Sequence, residues 1–397
     1  MTERLTCRRD DFSLPSGLHY LNCAYMSPIP RLVQEAGLQG VLRKADPSRI
    51  TARDFFAESD RARALFAQLI GAADAHRIAI IPAASYGIAT AARNTRVSAG
   101  QNVVITGEQF PSNVYSWREL CRRQRLDLRA IQPAEQTERR ALTWNERVLD
   151  AIDANTAIVA MPQVHWTDGT RFDLMAMGKR AREVGAAFII DGTQSVGALP
   201  FDVNALQPDA LICAAYKWLL GPYSLGLAYF GPRYDGGEPL EENWIAREDS
   251  EDFRALVNYT DAYQPGALRY DVGERSNFAL MPMLVAGLEC VLTWSPQHIQ
   301  QYCAALVAEP LLRAQELGYF VEQESGRSAH LFGLRMPGHV DLAQLHQELQ
   351  QRRVFASLRG SALRVSPHLY NDDHDLAVLL AVLQSAVTSR ATASAHP

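Results

Sequence analysis

Alternating strand and helix signals predict an α/β protein: a large doubly wound, mostly parallel sheet followed by a smaller C-terminal α+β unit. Three observations carry this reading. From about residue 20 to residue 230, short apolar runs rich in β-branched residues alternate with stretches of helical periodicity. Two of those runs, residues 186–190 and Ala210–Ala214, are apolar without alternation, as strands covered on both faces are. A chain of 397 residues with 47% apolar side chains has room for two cores. The division expected is residues 20–279 for the large unit and residues 280–397, joined by residues 1–19, for the small one.

The elements follow in order. Residues 53–70 have helical spacing. In IIPAASYGIATAARN a strand end and a tight turn lead into a helix over 86–94, opened by Ser85. Asn102–Thr106 is a strand, and GEQFPSNVYSW runs from it into a helix over 114–123. Another strand closes at MPQVHWTDGTRFDL, with a helix over 175–184 behind it. The run 186–190 ends on Asp191, and Ala210–Ala214 stops just short of Lys217. Residues 234–264 are polar and acidic (GGEPLEE, REDSED) and read as a loop over the ligand site. Beyond residue 280 come a helix (284–294), strands at 319–323, 329–334 and Ala362–Val365, and a closing helix (376–387). An Ala/Ser/Thr tail, 389–397, is expected to fray.

Lys217 is the most informative residue. The chain has three lysines against 36 arginines, the 39 basic residues less three, and Lys217 lies inside the apolar stretch LICAAYKWLLGPYSLGLAYF. Burial lowers the pKa of a lysine and frees its amine for attack on a carbonyl. A lysine flanked by Tyr216 and Trp218 can also simply snorkel to a strand end. Asp191 changes the balance, because both residues fall past the carboxyl ends of parallel strands, where open α/β sheets bind ligands. An amine and a carboxylate in one crevice suit a pyridine aldehyde cofactor, held as a Schiff base and kept protonated on its ring nitrogen.

The segment DGTQSVGALPFDVNALQPDALICAAYKWLLGPYSLGLAYFGP resembles the core of the pyridoxal-phosphate enzymes of aminotransferase class V. That group contains cysteine desulfurases, kynureninase and isopenicillin N epimerase, and the similarity runs from about residue 19 to about residue 380. The resemblance implies a fold-type-I transferase with pyridoxal 5'-phosphate on Lys217 and Asp191 at the ring nitrogen. It implies that Ser85, with Ala84, binds the phosphate, where an ordinary serine N-cap is the alternative. Phe110 would stack on the ring, Gln194 would meet the phenolic oxygen, and Tyr216 would reach the phosphate. Trp166 replaces an asparagine that desulfurases use near that oxygen, and His165 reads as structural rather than as the base. Arg364, in RVSPHLYN, matches the carboxylate-binding arginine, with Arg359 as a second candidate; a guanidinium fork fits an α-carboxylate. Ser276 and Asn277 match a pair that reaches the partner subunit's site, which implies a homodimer with shared sites.

These readings favour a class V aminotransferase acting on an α-amino acid. The alternatives are a kynureninase-like or C–S lyase, an epimerase, and a catalytically silent relative. No cysteine occurs from residue 304 to residue 397, where desulfurases carry their sulfur acceptor, so a persulfide-forming desulfurase is not expected. The six cysteines show no metal-ligand spacing, and no metal is expected. A net charge of −5 gives no basic excess for nucleic acid, and no G-x-G-x-x-G or G-x-x-x-x-G-K-[ST] segment supports a nucleotide site. No apolar leader opens the chain and the apolar stretch around Lys217 is too interrupted to span a membrane, so a cytoplasmic enzyme is expected.

Overall fold

The computed structural model describes residues 5–133 and 139–388, so the 389–397 tail lies outside the described residues. The chain opens with strand β1 (His19–Tyr20) and helices α1 (Arg31–Leu42) and α2 (Ala57–Ile70). Strands β2 (Ile78–Ile81), β3 (Asn102–Thr106), β4 (Asp127–Ile131), β5 (Thr156–Pro162), β6 (Ala187–Asp191), β7 (Ala210–Ala214) and β8 (Gly226–Phe230) then build one seven-stranded sheet. Its order is β2-β8-β7-β6-β5-β3-β4, and β8 alone runs against its neighbours. Between these strands lie α3 (Ala84–Asn94), α4 (Tyr115–Gln124), α5 (Arg140–Ala151), α6 (Leu174–Val184) and the short α7 (Val203–Leu206).

The sheet is covered on both faces, which is why its central strands lack alternation. One face and its helices bury Phe66, Trp144, Met177 and Phe188, and the other buries Ile88, Trp117, Cys121 and Ile158. Gly87 lets α3 lie close on the sheet, since a Cβ there would stand 3.0 Å from both Ile81 and Ile212. That contact brings the start of α3 over the carboxyl end of β7.

Helices α8 (Leu280–Trp294) and α9 (Pro296–Glu316) lead to a second sheet of β9 (Phe320–Val321), β10 (Phe332–Arg335), β12 (Ser357–Arg359) and β13 (Ala362–Val365), antiparallel in the order β12-β13-β10-β9. Strand β11 (Val354–Phe355) pairs with β1 instead, so the first residues of the chain are tied to its last third. Helices α10 (Leu342–Gln351) and α11 (Asp373–Thr388) pack on this sheet.

Two expectations need correction. Helix α9 is not among the expected elements; Pro296 takes its first turn after the Ser295 cap, and Pro310 is accommodated inside the helix. Residues 234–264 form turns and short 3-10 segments; Glu238 bonds Asn94 of α3, Trp244 and Phe253 pack on Phe55, and none of the segment lines the central cavity. Their charge marks a solvated edge rather than a lid.

Asp271, fully buried, anchors the segment that follows. It accepts hydrogen bonds from Arg63, Arg275 and the Ile80 backbone N–H, the last at 2.7 Å, and so fixes residues 271–272 against β2 just before the turn into α3. Asp271→Ala would leave two buried guanidinium groups without their carboxylate. We expect a loss of about 3–5 kcal/mol of stability, read as a lower denaturant midpoint; a midpoint within error of wild type would contradict this role.

Candidate active site

The carboxyl ends of β2, β3, β5, β6 and β7 converge on a cavity of about 340 Å³. Its floor and walls include Ala84, Ser85, Phe110, Trp166, Asp191, Gln194, Tyr216 and Lys217. Convergence at strand ends is the general rule for ligand sites in such sheets.

Lys217 is carried by the loop between β7 and β8, and the backbone there is fixed from several sides. Ala215 N–H donates to Leu225 O at 3.0 Å, and Ser27 N–H donates to Tyr216 O at 3.1 Å. Gly197 permits the closest approach: a Cβ at this residue, which has φ +106°, would stand 2.2 Å from Trp218 O. The side chain of Lys217 is only 6% exposed. Among the described residues no carboxylate lies within ion-pair distance of its Nζ. Its ammonium faces the rings of Phe110 and Tyr216 at 5.6 and 5.5 Å. Burial, and then the positive charge of Arg364, lowers its pKa to about 8.

Asp191 ends β6 at the cavity floor. Its carboxylate accepts a hydrogen bond from Thr193 N–H at 3.0 Å and a long one from the Asn113 amide at 3.4 Å. Burial pushes this carboxyl above the usual range despite those donors, so the pocket offers a place for a cationic N–H partner. Gln194 is held at both ends of its amide: Nε2 donates to Ala24 O and Oε1 accepts from Trp218 Nε1, each at 3.1 Å. His330 supports it from behind, 2.8 Å from its carbonyl.

An anion would find donors at the opposite end. Helix α3 begins at Ala84 rather than Ser85, with Ala83 at the cap position and no side-chain cap bond. The first N–H groups of the helix therefore remain for a ligand, with the Ser85, Ser112 and Ser224 hydroxyls around them. Gln109 Nε2 is buried there without a partner. A phosphate at this end and an aldehyde-bearing ring between Asp191 and Lys217 fit the donor set, so the residues present suit pyridoxal phosphate.

Arg364 stands next to Trp166, which lines the cavity. It is 2% exposed, donates to Trp166 O at 2.9 Å and reaches Asn22 Oδ1 at 3.4 Å. Burial, with the charge of Arg359 second, lowers its pKa to about 9. Arg359 lies over the Trp166 ring at 5.7 Å. Trp166 itself donates to Glu108 O at 2.7 Å and meets Phe110 edge-on. His165 is fully buried between Thr167 and the Gly107 carbonyl, and burial lowers it to about 4, which favours the neutral ring.

Ser276 and Asn277 are not brought into this chain's cavity. Ser276 donates to Phe55 O, and Asn277 Oδ1 accepts from Ala279 and Leu280 N–H at the start of α8. Asn113, Tyr223 and Ser224 were not anticipated as parts of the site. Asn113 was legible only as a polar residue next to the Phe110-Pro111 pair; Ser224 owes its place to a backbone turn with φ +68°, which sequence spacing does not reveal.

Residues 48–240 match the aminotransferase class-V family. The chain is 24% identical to the "uncharacterized aminotransferase YcbU" of Bacillus subtilis (strain 168), over 80% of this chain and 81% of that protein. It is 23% identical to isopenicillin N epimerase of Streptomyces clavuligerus over 90% and 92% of the two chains. The apo structure of a cysteine desulfurase from Thermococcus onnurineus NA1 superposes with a TM-score of 0.82 at 20% identity, covering 98% of this chain and 100% of that one.

With three lysines in the chain, reductive methylation with a carbon-13 label gives few enough resonances to follow each by NMR. We expect one to titrate near pH 8, neutral above it, and to vanish in Lys217→Arg. Arg364→Gln should move that titration upward by removing a neighbouring positive charge. A Lys217 resonance titrating at the ordinary lysine value, near 10.4, would contradict the buried-amine account.

Proposed function

We propose that this chain, whose residues 48–240 match the aminotransferase class-V family of pyridoxal-phosphate enzymes, transaminates an α-amino acid with Lys217 as its cofactor lysine. The observation that carries the reading is the buried Lys217 amine in a cavity that also holds the Asp191 carboxyl, with an anion cradle at the start of α3.

When bound, the cofactor supplies a ring that draws electrons from a bond at the substrate's Cα. Asp191 would hold a proton on the ring nitrogen, supported by Thr193 and Asn113. Ser85 and the first N–H groups of α3 would hold the phosphate, with Tyr216 beside it. Phe110 would cover one face of the ring, and the unused N–H of Gln194 would meet the phenolic oxygen. Arg364 would bind the substrate's α-carboxylate, which supplies the acid it otherwise lacks. Lys217, with about a tenth of its amine neutral at pH 7 for a pKa of about 8, would take the proton from Cα and return it elsewhere.

Persulfide chemistry finds little support in the thiols. Cys23, which lies near enough to feel the Lys217 charge, has a thiol pushed up to about 12 by burial. The six cysteines are free, and among the described residues no helix is long and apolar enough to cross a membrane.

A shared homodimeric site is part of the proposal. Leu32, Leu38, Val41 and Leu42 leave an apolar face of α1 exposed. The end of α1 also adjoins the segment that carries Ser276 and Asn277, where Arg43 lies 5.5 Å over the Phe278 ring. A dimer through this face would put those two residues at a subunit boundary. Sedimentation at working concentration should give a dimer, and a monomer with full turnover would sink the shared site.

The reaction is tested by following the visible spectrum of the holoenzyme with a panel of amino acids while identifying products. Transamination predicts one keto acid released per cofactor, with the amino group retained on the protein, and no turnover in Lys217→Ala. Return of the starting spectrum with an eliminated or inverted product would assign lyase or epimerase chemistry instead.

A further inference from the structure

The two arginines beside Trp166 have no carboxylate partner among the described residues. In the β12–β13 hairpin Ser357 pairs with Arg364 and Arg359 pairs with Ala362. Residues two apart on a strand share a face, so Arg359 and Arg364 are diagonal neighbours on the same side. Both touch Trp166, Arg364 through its carbonyl and Arg359 through its ring. Among the described residues neither guanidinium has a carboxylate within 4.0 Å. Their other hydrogen-bond acceptors are neutral: Leu358 O for Arg359, and Asn22 Oδ1 for Arg364. The Nε of each is buried without a partner. By contrast, the fully buried Arg63 and Arg275 are both paired with Asp271.

Two like charges held side by side without an acid are costly unless a ligand supplies the missing anions. One α-carboxylate would satisfy Arg364 and leave Arg359 uncompensated. Trp166, which both arginines touch, lines the cavity beside Lys217, which ties the pair to it.

We propose that Arg364 and Arg359 form a two-anion clamp, so that the amino acid turned over here carries a second carboxylate, its α-carboxylate meeting Arg364 and its side-chain carboxylate meeting Arg359. The substrate class rests on the transaminase reading; the clamp itself does not.

The test pairs two titrations of the holoenzyme. Calorimetry compares succinate, glutarate and adipate with the matching monocarboxylates. Absorption spectra compare aspartate, glutamate and 2-aminoadipate with asparagine, glutamine and norleucine. We expect the best diacid to bind about 10- to 100-fold tighter than its monoacid, the range of a charge-assisted hydrogen bond. Arg359→Gln should remove most of that ratio and Arg359→Lys should restore part of it, whereas Arg364→Gln should weaken mono- and diacids alike. Equal binding of mono- and diacids, or a ratio unchanged in a folded Arg359→Gln protein, overturns the clamp. Diacid preference with no spectral response to any amino acid keeps the clamp and overturns the transaminase reading. A response that favours the neutral amino acids keeps the reading and overturns the clamp.

Discussion

Much of this structure is arranged to keep the Lys217 amine out of water and next to positive charge. Burial alone lowers a lysine pKa, and Arg364 and Arg359 lower it further, while Asp191 opposes them from the cavity floor. An amine in that balance is available for carbonyl chemistry near neutral pH. Holding it there requires a rigid loop, and the loop is fixed by β7 and β8 on either side, by Ser27 at the Tyr216 carbonyl and by Trp218 on Gln194. A lysine free to reach solvent would regain its ordinary proton affinity and lose the property that makes it useful.

The rest of the site follows from where a mostly parallel sheet ends. Strands β6 and β7 are neighbours, so an acid at the end of one and a lysine just past the other share a crevice. Helix α3 sits low on the sheet through Gly87 and aims its first turn at the same crevice. The hairpin of β12 and β13 brings Arg364 and Arg359 to the far side of Trp166. Asn22, just after β1, bonds both Arg364 and Ser357, so the amino-terminal segment also helps to place Arg364.

The class of fold was legible because strands covered on both faces must be apolar throughout, and helices between them must show a 3.6-residue period. Asp191 and Lys217 were legible for a related reason: a charged residue at the end of an apolar run is conspicuous. Helix α9 carries two prolines, which weaken its helical signal in the sequence. The acidic charge of residues 234–264 indicated solvent contact but not which edge of the sheet it would cover. Arg364 could be picked out of 36 arginines only by its sequence neighbours, and its want of an acidic partner is a property of the packed structure alone. Ser276 and Asn277 show the limit in the other direction, since any role at a shared site depends on a surface that one chain does not provide.

The central claim is that Lys217 carries the cofactor, and it can be examined without knowing the substrate. The holoenzyme would be reduced with borohydride to make any carbon–nitrogen double bond permanent, then digested and analysed by mass spectrometry. The account predicts pyridoxyl label on the peptide containing Lys217 and none on those containing Lys44 or Lys179. Label on either of the other lysines, or on no lysine in a protein that still binds pyridoxal phosphate, would contradict it.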